Sequence, residues 1–272
     1  MEHGTDAPVG AAVAGDRLQG LSDALREAER DRRAIAPIIQ ANPDLTVDDA
    51  YRIQLINTQR RLEEGRTIRG RKVGLTSRAM QQMMGVDEPD FGVLFDDMFV
   101  EDGDAVAIAE LVQPRVEAEI AVVLSRDLRG PGVSSIAALR AVEFAFPSLE
   151  IIDSRISDWK IGLVDTIADN ASSARVVVAG HGVPVGEIDL RLVGMVLYLN
   201  GELVDTGAGA AVLGNPLRCV AWLANKLSQV GEELKAGDVV LAGALHRAIL
   251  VKAGDSVVAE FDRLGAVHTR FK

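Results

Sequence analysis

The stretch Gln113-Pro114-Arg115-Val116-Glu117-Ala118-Glu119-Ile120-Ala121-Val122-Val123-Leu124 decides how this chain is read. Its second half is apolar and β-branched, the composition of a buried strand. Two carboxylates, Glu117 and Glu119, interrupt its start. Side chains two apart on a strand leave the same face, so both anions project side by side. Adjacent anions on an apolar strand are costly unless a cation or water meets them. Two readings are open: a solvated strand end, or half of a metal site completed from elsewhere in the chain.

A third carboxylate lies downstream in Phe146-Pro147-Ser148-Leu149-Glu150-Ile151-Ile152, where the flanking residues belong in an interior. A buried glutamate must be paired, protonated or metal-bound. Glu117, Glu119 and Glu150 together would make an oxygen-only donor set, suited to Mg²⁺ or Mn²⁺ rather than zinc. Spacing alone does not bring them together. Lys72 sits among apolar strand residues, and by itself reads as an exposed strand lysine next to Gly74, where another group can approach closely. Asp90, between Pro89 and Phe91-Gly92, reads by default as a turn former, and Asp165 and Asp169 as loop caps.

Several chemistries are excluded. His3, His181, His246 and His268 are isolated, without the spacing of metal ligands. No Gly-x-Ser-x-Gly elbow and no Gly-x-Gly-x-x-Gly fingerprint occurs. The net charge of -11 argues against a nucleic-acid partner, which would require basic patches. No apolar run is long enough to cross a bilayer, so no membrane role is expected. The single Cys219, in a helical apolar pattern, reads as a core filler and fits a reducing cytoplasm.

Residues 1–15 read as a disordered tail without the features of a secretory leader. Leu18, Leu21, Leu25 and Ala28 recur at helical spacing in the segment that follows, and Thr46 with Asp48 and Asp49 marks the start of a second helix ending near Gly65. Residues 16–65 are thus an N-terminal helical cap, and from residue 66 short strands punctuated by glycine take over. Asn200-Gly201 joins two strands as a hairpin, and Asn215-Pro216 opens a helix reaching about Val230. Strands do not alternate strictly with helices, so the body at 66–272 is expected to be α+β with a mixed, rolled sheet rather than doubly wound.

Six segments in order carry a resemblance: Gly70-Arg71-Lys72-Val73-Gly74-Leu75-Thr76, Pro89-Asp90-Phe91-Gly92, Glu117-Ala118-Glu119, Leu149-Glu150-Ile151-Ile152-Asp153-Ser154-Arg155-Ile156, Asp169-Asn170-Ala171-Ser172 and the run from Gly237 to Leu245. Over about residues 20 to 272 the chain resembles the 2-hydroxypenta-2,4-dienoate (2-keto-4-pentenoate) hydratases. These stand with the 4-oxalocrotonate decarboxylases in the fumarylacetoacetase-like superfamily. The resemblance implies a mixed β-sheet roll with an N-terminal helical portion. It also implies divalent-metal ligation by Glu117, Glu119 and Glu150, and an active-site pair at Lys72 and Asp90. The polar pocket loop falls on Asn170 to Ser172, making Asn170 and Ser172 the substrate-binding candidates. Leu245-His246-Arg247 departs from the smaller residues of the family pattern.

The implied reaction is metal-dependent addition of water to a 2-hydroxydienoate, giving a 4-hydroxy-2-oxoacid in meta-cleavage degradation of aromatic or steroid rings. Asp158-Trp159-Lys160-Ile161 resembles the hydratases more than the decarboxylases. A decarboxylase is the alternative. An acylpyruvate-type hydrolase is weaker, because no histidine lies between His3 and His181 to activate water, and a non-catalytic binding protein is weaker still. The resemblance further implies a homo-oligomer and association with neighbouring pathway enzymes.

Overall fold

The computed structural model describes residues 9–272. Helices α1 (Val9–Asp31), α2 (Ile38–Ala41) and α3 (Val47–Glu63) form the N-terminal part. The tail expected at 1–15 is helical from Val9 onward, where Ala11, Ala12 and Ala14 favour helix and Gly10 and Gly15 are carried within it; residues 1–8 lie outside the described residues. Thr46 caps α3 as its residue type demands, accepting from the Asp49 N–H while the Asp49 carboxylate accepts from the Thr46 N–H.

The body follows as β1 (Ile68–Gly74), α4 (Arg78–Met84), β2 (Asp90–Phe95), β3 (Phe99–Glu101), β4 (Ala105–Val106), β5 (Arg115–Leu124), α5 (Ser135–Ala141) and β6 (Val142–Ile152). Then come α6 (Leu163–Ala168), β7 (Ser173–Val178), β8 (Val183–Pro184), β9 (Gly194–Leu199), β10 (Glu202–Ala208), α7 (Pro216–Gln229), β11 (Val239–Ala244), β12 (Ile249–Leu250), β13 (Ser256–Phe261) and β14 (Gly265–Phe271). A nine-stranded sheet runs β2-β1-β11-β5-β6-β7-β3, with β12 beside β5 and β8 beside β6; a five-stranded sheet runs β10-β9-β13-β14-β4. The large sheet is mixed, because β1 is parallel to β11 and β3 to β7 while the other pairs are antiparallel. Asn200 and Gly201 turn the β9–β10 hairpin with φ of 55° and 84°, the left-handed pair a type I′ turn requires.

The two-residue period of β5 divides the core. Val116, Ala118, Ile120 and Val122 join Leu149, Ile151, Val177 and Val240 against the small sheet and α7, where Cys219 is a buried filler as expected. Ala121, on the opposite face, packs with Val93, Val176 and Leu241 inside the curl of the large sheet. A third cluster joins Leu18, Leu25 and Ile53 of the cap to Ile156 and Ile167. Gly207 and Ala208 end strand β10, and Gly209 opens the short 3₁₀ turn that follows. A Cβ on Gly207 would collide with the Leu245 carbonyl and one on Gly209 with the Leu190 carbonyl, so both glycines serve close packing.

The pairings place one set of strand ends together. β1 and β11 finish where β2, β5 and β7 begin and where β6 finishes. That end of the curled sheet carries the polar residues.

Candidate metal centre

Glu117 and Glu119 share a face of β5, and Glu117 lies directly opposite Glu150 in the antiparallel ladder with β6. One carboxylate oxygen from each of the three lies within 4.8 Å of the others. Glu119 and Glu150 are fully buried and Glu117 is half-buried. Gly243 N–H donates to Glu119 Oε2 at 2.7 Å, and Ser173 Oγ donates to Glu150 Oε1 at 2.8 Å. Glu150 Oε2 has no hydrogen-bond partner among the described residues; Lys72 Nζ is 3.2 Å away, at ion-pair distance but without hydrogen-bond alignment.

Burial, together with the neighbouring carboxylates, pushes the Glu119 carboxyl well above the usual range. Burial pushes Glu117 up to about 7, with Lys72 opposing and Glu150 and Asp90 reinforcing. Three converging buried carboxyls with an orphaned oxygen among them are a cost to the fold unless a cation joins them. Their donor set is all oxygen, which fits a hard divalent cation and not zinc or copper.

Lys72, on β1, is buried and donates to the Ala171 carbonyl at 3.1 Å. Burial alone would lower its pKa, but Glu150, Asp90, Glu117 and Glu119 outweigh that and raise it. Asp90 opens β2 across from Gly74, and a Cβ on Gly74 would strike its Oδ1; the close approach that this glycine permits is therefore made by the Asp90 carboxyl. Asp90 is not a turn residue but a buried carboxyl, raised by burial, with Oδ1 unpartnered.

The loop before β7 holds Asn170, Ala171 and Ser172 at φ of 54°, 50° and 57°, a run of left-handed non-glycine residues that costs backbone energy at each position. What holds it is Asn170, which accepts from Val93 N–H at 2.7 Å and donates to the Val93 carbonyl at 2.9 Å. The Asn170 amide thus serves first as support for the loop. Ser172 Oγ is buried and unpartnered, so it is the hydroxyl this loop presents.

Other residues support the site, most of them in roles the sequence did not give. Asp169 is not a loop cap: it forms a buried ion pair with Arg155, whose Nε is 2.5 Å from Oδ1, and burial raises its carboxyl to about 6 against the pull of that arginine. Asp165 does cap, accepting from Gly162 N–H and Ile39 N–H. Gln54 of the cap donates to the Phe91 and Ile167 carbonyls, both at 3.0 Å, tying α3 to the strand of Asp90. His246 Nε2 accepts from the Ala118 N–H at 2.8 Å, between the two glutamates of β5, in a gap where β11 leaves the ladder and β12 has not yet joined. Only that departure from the family pattern marked His246 in the sequence.

The fumarylacetoacetate (FAA) hydrolase C-terminal family matches residues 66–272. A 2-keto-4-pentenoate hydratase of Paraburkholderia xenovorans (strain LB400) is 49% identical over 251 residues, covering 92% of this chain and 93% of its own. A 2-hydroxypent-2,4-dienoate hydratase of Pseudomonas putida is 47% identical over 215 residues, or 79% of this chain and 97% of its own. Among solved structures, the 4-oxalocrotonate decarboxylase of Pseudomonas putida G7, complexed with magnesium and adipate, superposes with a TM-score of 0.92 at 38% identity over 94% of this chain and 98% of that one. A fumarylpyruvate hydrolase of Pseudomonas aeruginosa at 18% identity, TM-score 0.59, shares the fold. The chain therefore belongs to the fumarylacetoacetate hydrolase family, within its group of 2-keto-4-pentenoate hydratases.

Proposed function

We propose that this protein is a divalent-metal-dependent hydratase that adds water to 2-hydroxypenta-2,4-dienoate or a close homologue, giving a 4-hydroxy-2-oxoacid. The observation that carries the reading is the convergence of Glu117, Glu119 and Glu150 beside Lys72 and Asp90, in a chain 49% identical to a 2-keto-4-pentenoate hydratase. Glu117, Glu119 and Glu150 would hold Mg²⁺ or Mn²⁺, which when bound supplies a Lewis acid for the oxygens of a 2-hydroxy acid.

The chain's own groups then handle protons. Lys72 is held as an ammonium by the surrounding carboxylates, and Asp90 is the buried acid with a free oxygen, so these two are assigned the proton transfers. Protonation at C5 of the dienoate gives a 2-oxo-3-enoate, water adds at C4, and protonation at C3 completes the product. Ser172 offers a hydroxyl to the substrate from a loop that Asn170 keeps in place. The burial of Lys72, Asp90 and Ser172 limits the water that reaches the reacting carbons.

A 4-oxalocrotonate decarboxylase is the second reading, supported by the TM-score of 0.92 to that enzyme. The setting we infer is a cytoplasmic meta-cleavage pathway, with the protein acting as a homo-oligomer beside the enzymes of adjacent steps. The test follows loss of the dienoate absorbance with Mg²⁺ or with excess chelator, in the unsubstituted protein and in Glu150→Gln. Turnover that survives both the chelator and the substitution would remove the metal-dependent reading.

A further inference from the structure

Arg115 is the first residue of β5, two before Glu117, and the β5–β6 register runs without a break from Arg115 to Val123. Its side chain therefore leaves the face that carries the metal-site glutamates. Arg115 and Glu117 are the two half-buried positions at the start of a strand whose next five residues are buried, so both stand at the open end of the site. The Arg115 guanidinium carbon lies 4.5 Å from the centroid of the Trp159 ring, and Trp159 is itself fixed by Nε1 donating to the Gln113 carbonyl at 3.1 Å.

What sets this arginine apart is its lack of a counterion. The fully buried Arg71 and Arg155 each meet a carboxylate, Glu232 and Asp169. Arg115 has no ion pair among the described residues, and its Nε is buried without an acceptor. A stacked guanidinium with unused donors in a low-dielectric site is a carboxylate receptor by chemistry: the planar fork matches two carboxylate oxygens, and the ring already holds it in place. We propose that Arg115 binds a carboxylate group of the substrate at the mouth of the site, beside the ion held by Glu117, Glu119 and Glu150. This assignment rests on the 2-oxo- or 2-hydroxyacid reading given above. The group it takes is either the C1 carboxylate that every such substrate has, or a second carboxylate at the far end of a diacid.

The test uses the full chain loaded with Mn²⁺ and two probes that undergo no turnover, 2-oxopentanoate and 2-oxohexanedioate. Arg115→Met and Arg115→Lys are compared with the unsubstituted protein by calorimetry, with Mn²⁺ affinity read separately by electron paramagnetic resonance. The expected result is unchanged Mn²⁺ affinity with probe binding weakened about 10- to 100-fold in Arg115→Met, the range of a charged hydrogen-bonded contact, and partly recovered in Arg115→Lys. Equal weakening of both probes assigns the C1 carboxylate; weakening of the diacid alone assigns the distal one. Probe binding that is unchanged, or that falls only as far as Mn²⁺ affinity falls, overturns the proposal, because Arg115 then acts only through Glu117 or not at all. Failure of the unsubstituted protein to bind either probe would overturn the underlying acid-substrate reading instead, which keeps the two failures apart.

Discussion

Glu117 of β5 stands directly across the ladder from Glu150 of β6, so two carboxylates from distant parts of the sequence become cross-strand neighbours on one buried face. Like charges placed so are destabilising by themselves. The metal dependence proposed for this protein rests on this pairing.

The dependence has a pH signature. The folded chain holds a proton on Glu117 up to about 7, against an ordinary value of 4.5. Between those values the unfolded chain has lost the proton and the folded one has kept it, so metal-free stability falls as pH rises through this window. A divalent ion displaces the proton and restores what was lost. The gap in melting temperature between Mg²⁺-loaded and chelator-treated protein should therefore widen from pH 5 to pH 8. A gap constant across that range would contradict the assignment of these carboxyls as ligands.

Lys72→Met should abolish most turnover, by about 100-fold or more, because the chain loses a positioned proton donor. Mn²⁺ affinity should persist, since the three carboxylates remain. Activity within a few-fold of the unsubstituted protein would remove Lys72 from the chemistry.

His246→Ala should weaken Mn²⁺ binding about 10-fold, because the Ala118 N–H between the two glutamates loses its acceptor. His246→Gln keeps an acceptor at a similar reach and should recover most of that loss. Identical Mn²⁺ affinity in both variants would leave His246 a packing residue.

Asp169→Asn tests the support of the loop. It leaves the buried Arg155 guanidinium without its counterion, a loss of about 3–5 kcal/mol by urea denaturation. A change below about 1 kcal/mol would mean that the pair contributes little beyond packing.

Much of this was legible in the chain because local physics wrote it there. Thr46, Asn200-Gly201 and Asn215-Pro216 act through short-range geometry, and each lies where its chemistry placed it. The Glu117–Glu119 pair was readable for the same reason, since strand period alone sets their common face. Glu150 joins them only through the β5–β6 register, which no local pattern encodes; family resemblance supplied it. The Arg155–Asp169 pair, Gln54 and the acceptor role of His246 depend on contacts between elements far apart in sequence, and their residue types read equally well as surface polar groups. The helical residues before position 16 were missed because small residues in a charged leader resemble a linker as much as a helix.

The measurement that bears most directly on the central claim is the mass of the product formed from 2-hydroxypenta-2,4-dienoate, with Mg²⁺ and with excess chelator. The account predicts a 4-hydroxy-2-oxoacid heavier than the substrate by one water, formed only when the metal is present. An unchanged dienoate under both conditions, alongside loss of carbon dioxide from 2-oxohex-3-enedioate, would contradict it and place the chain with the decarboxylases.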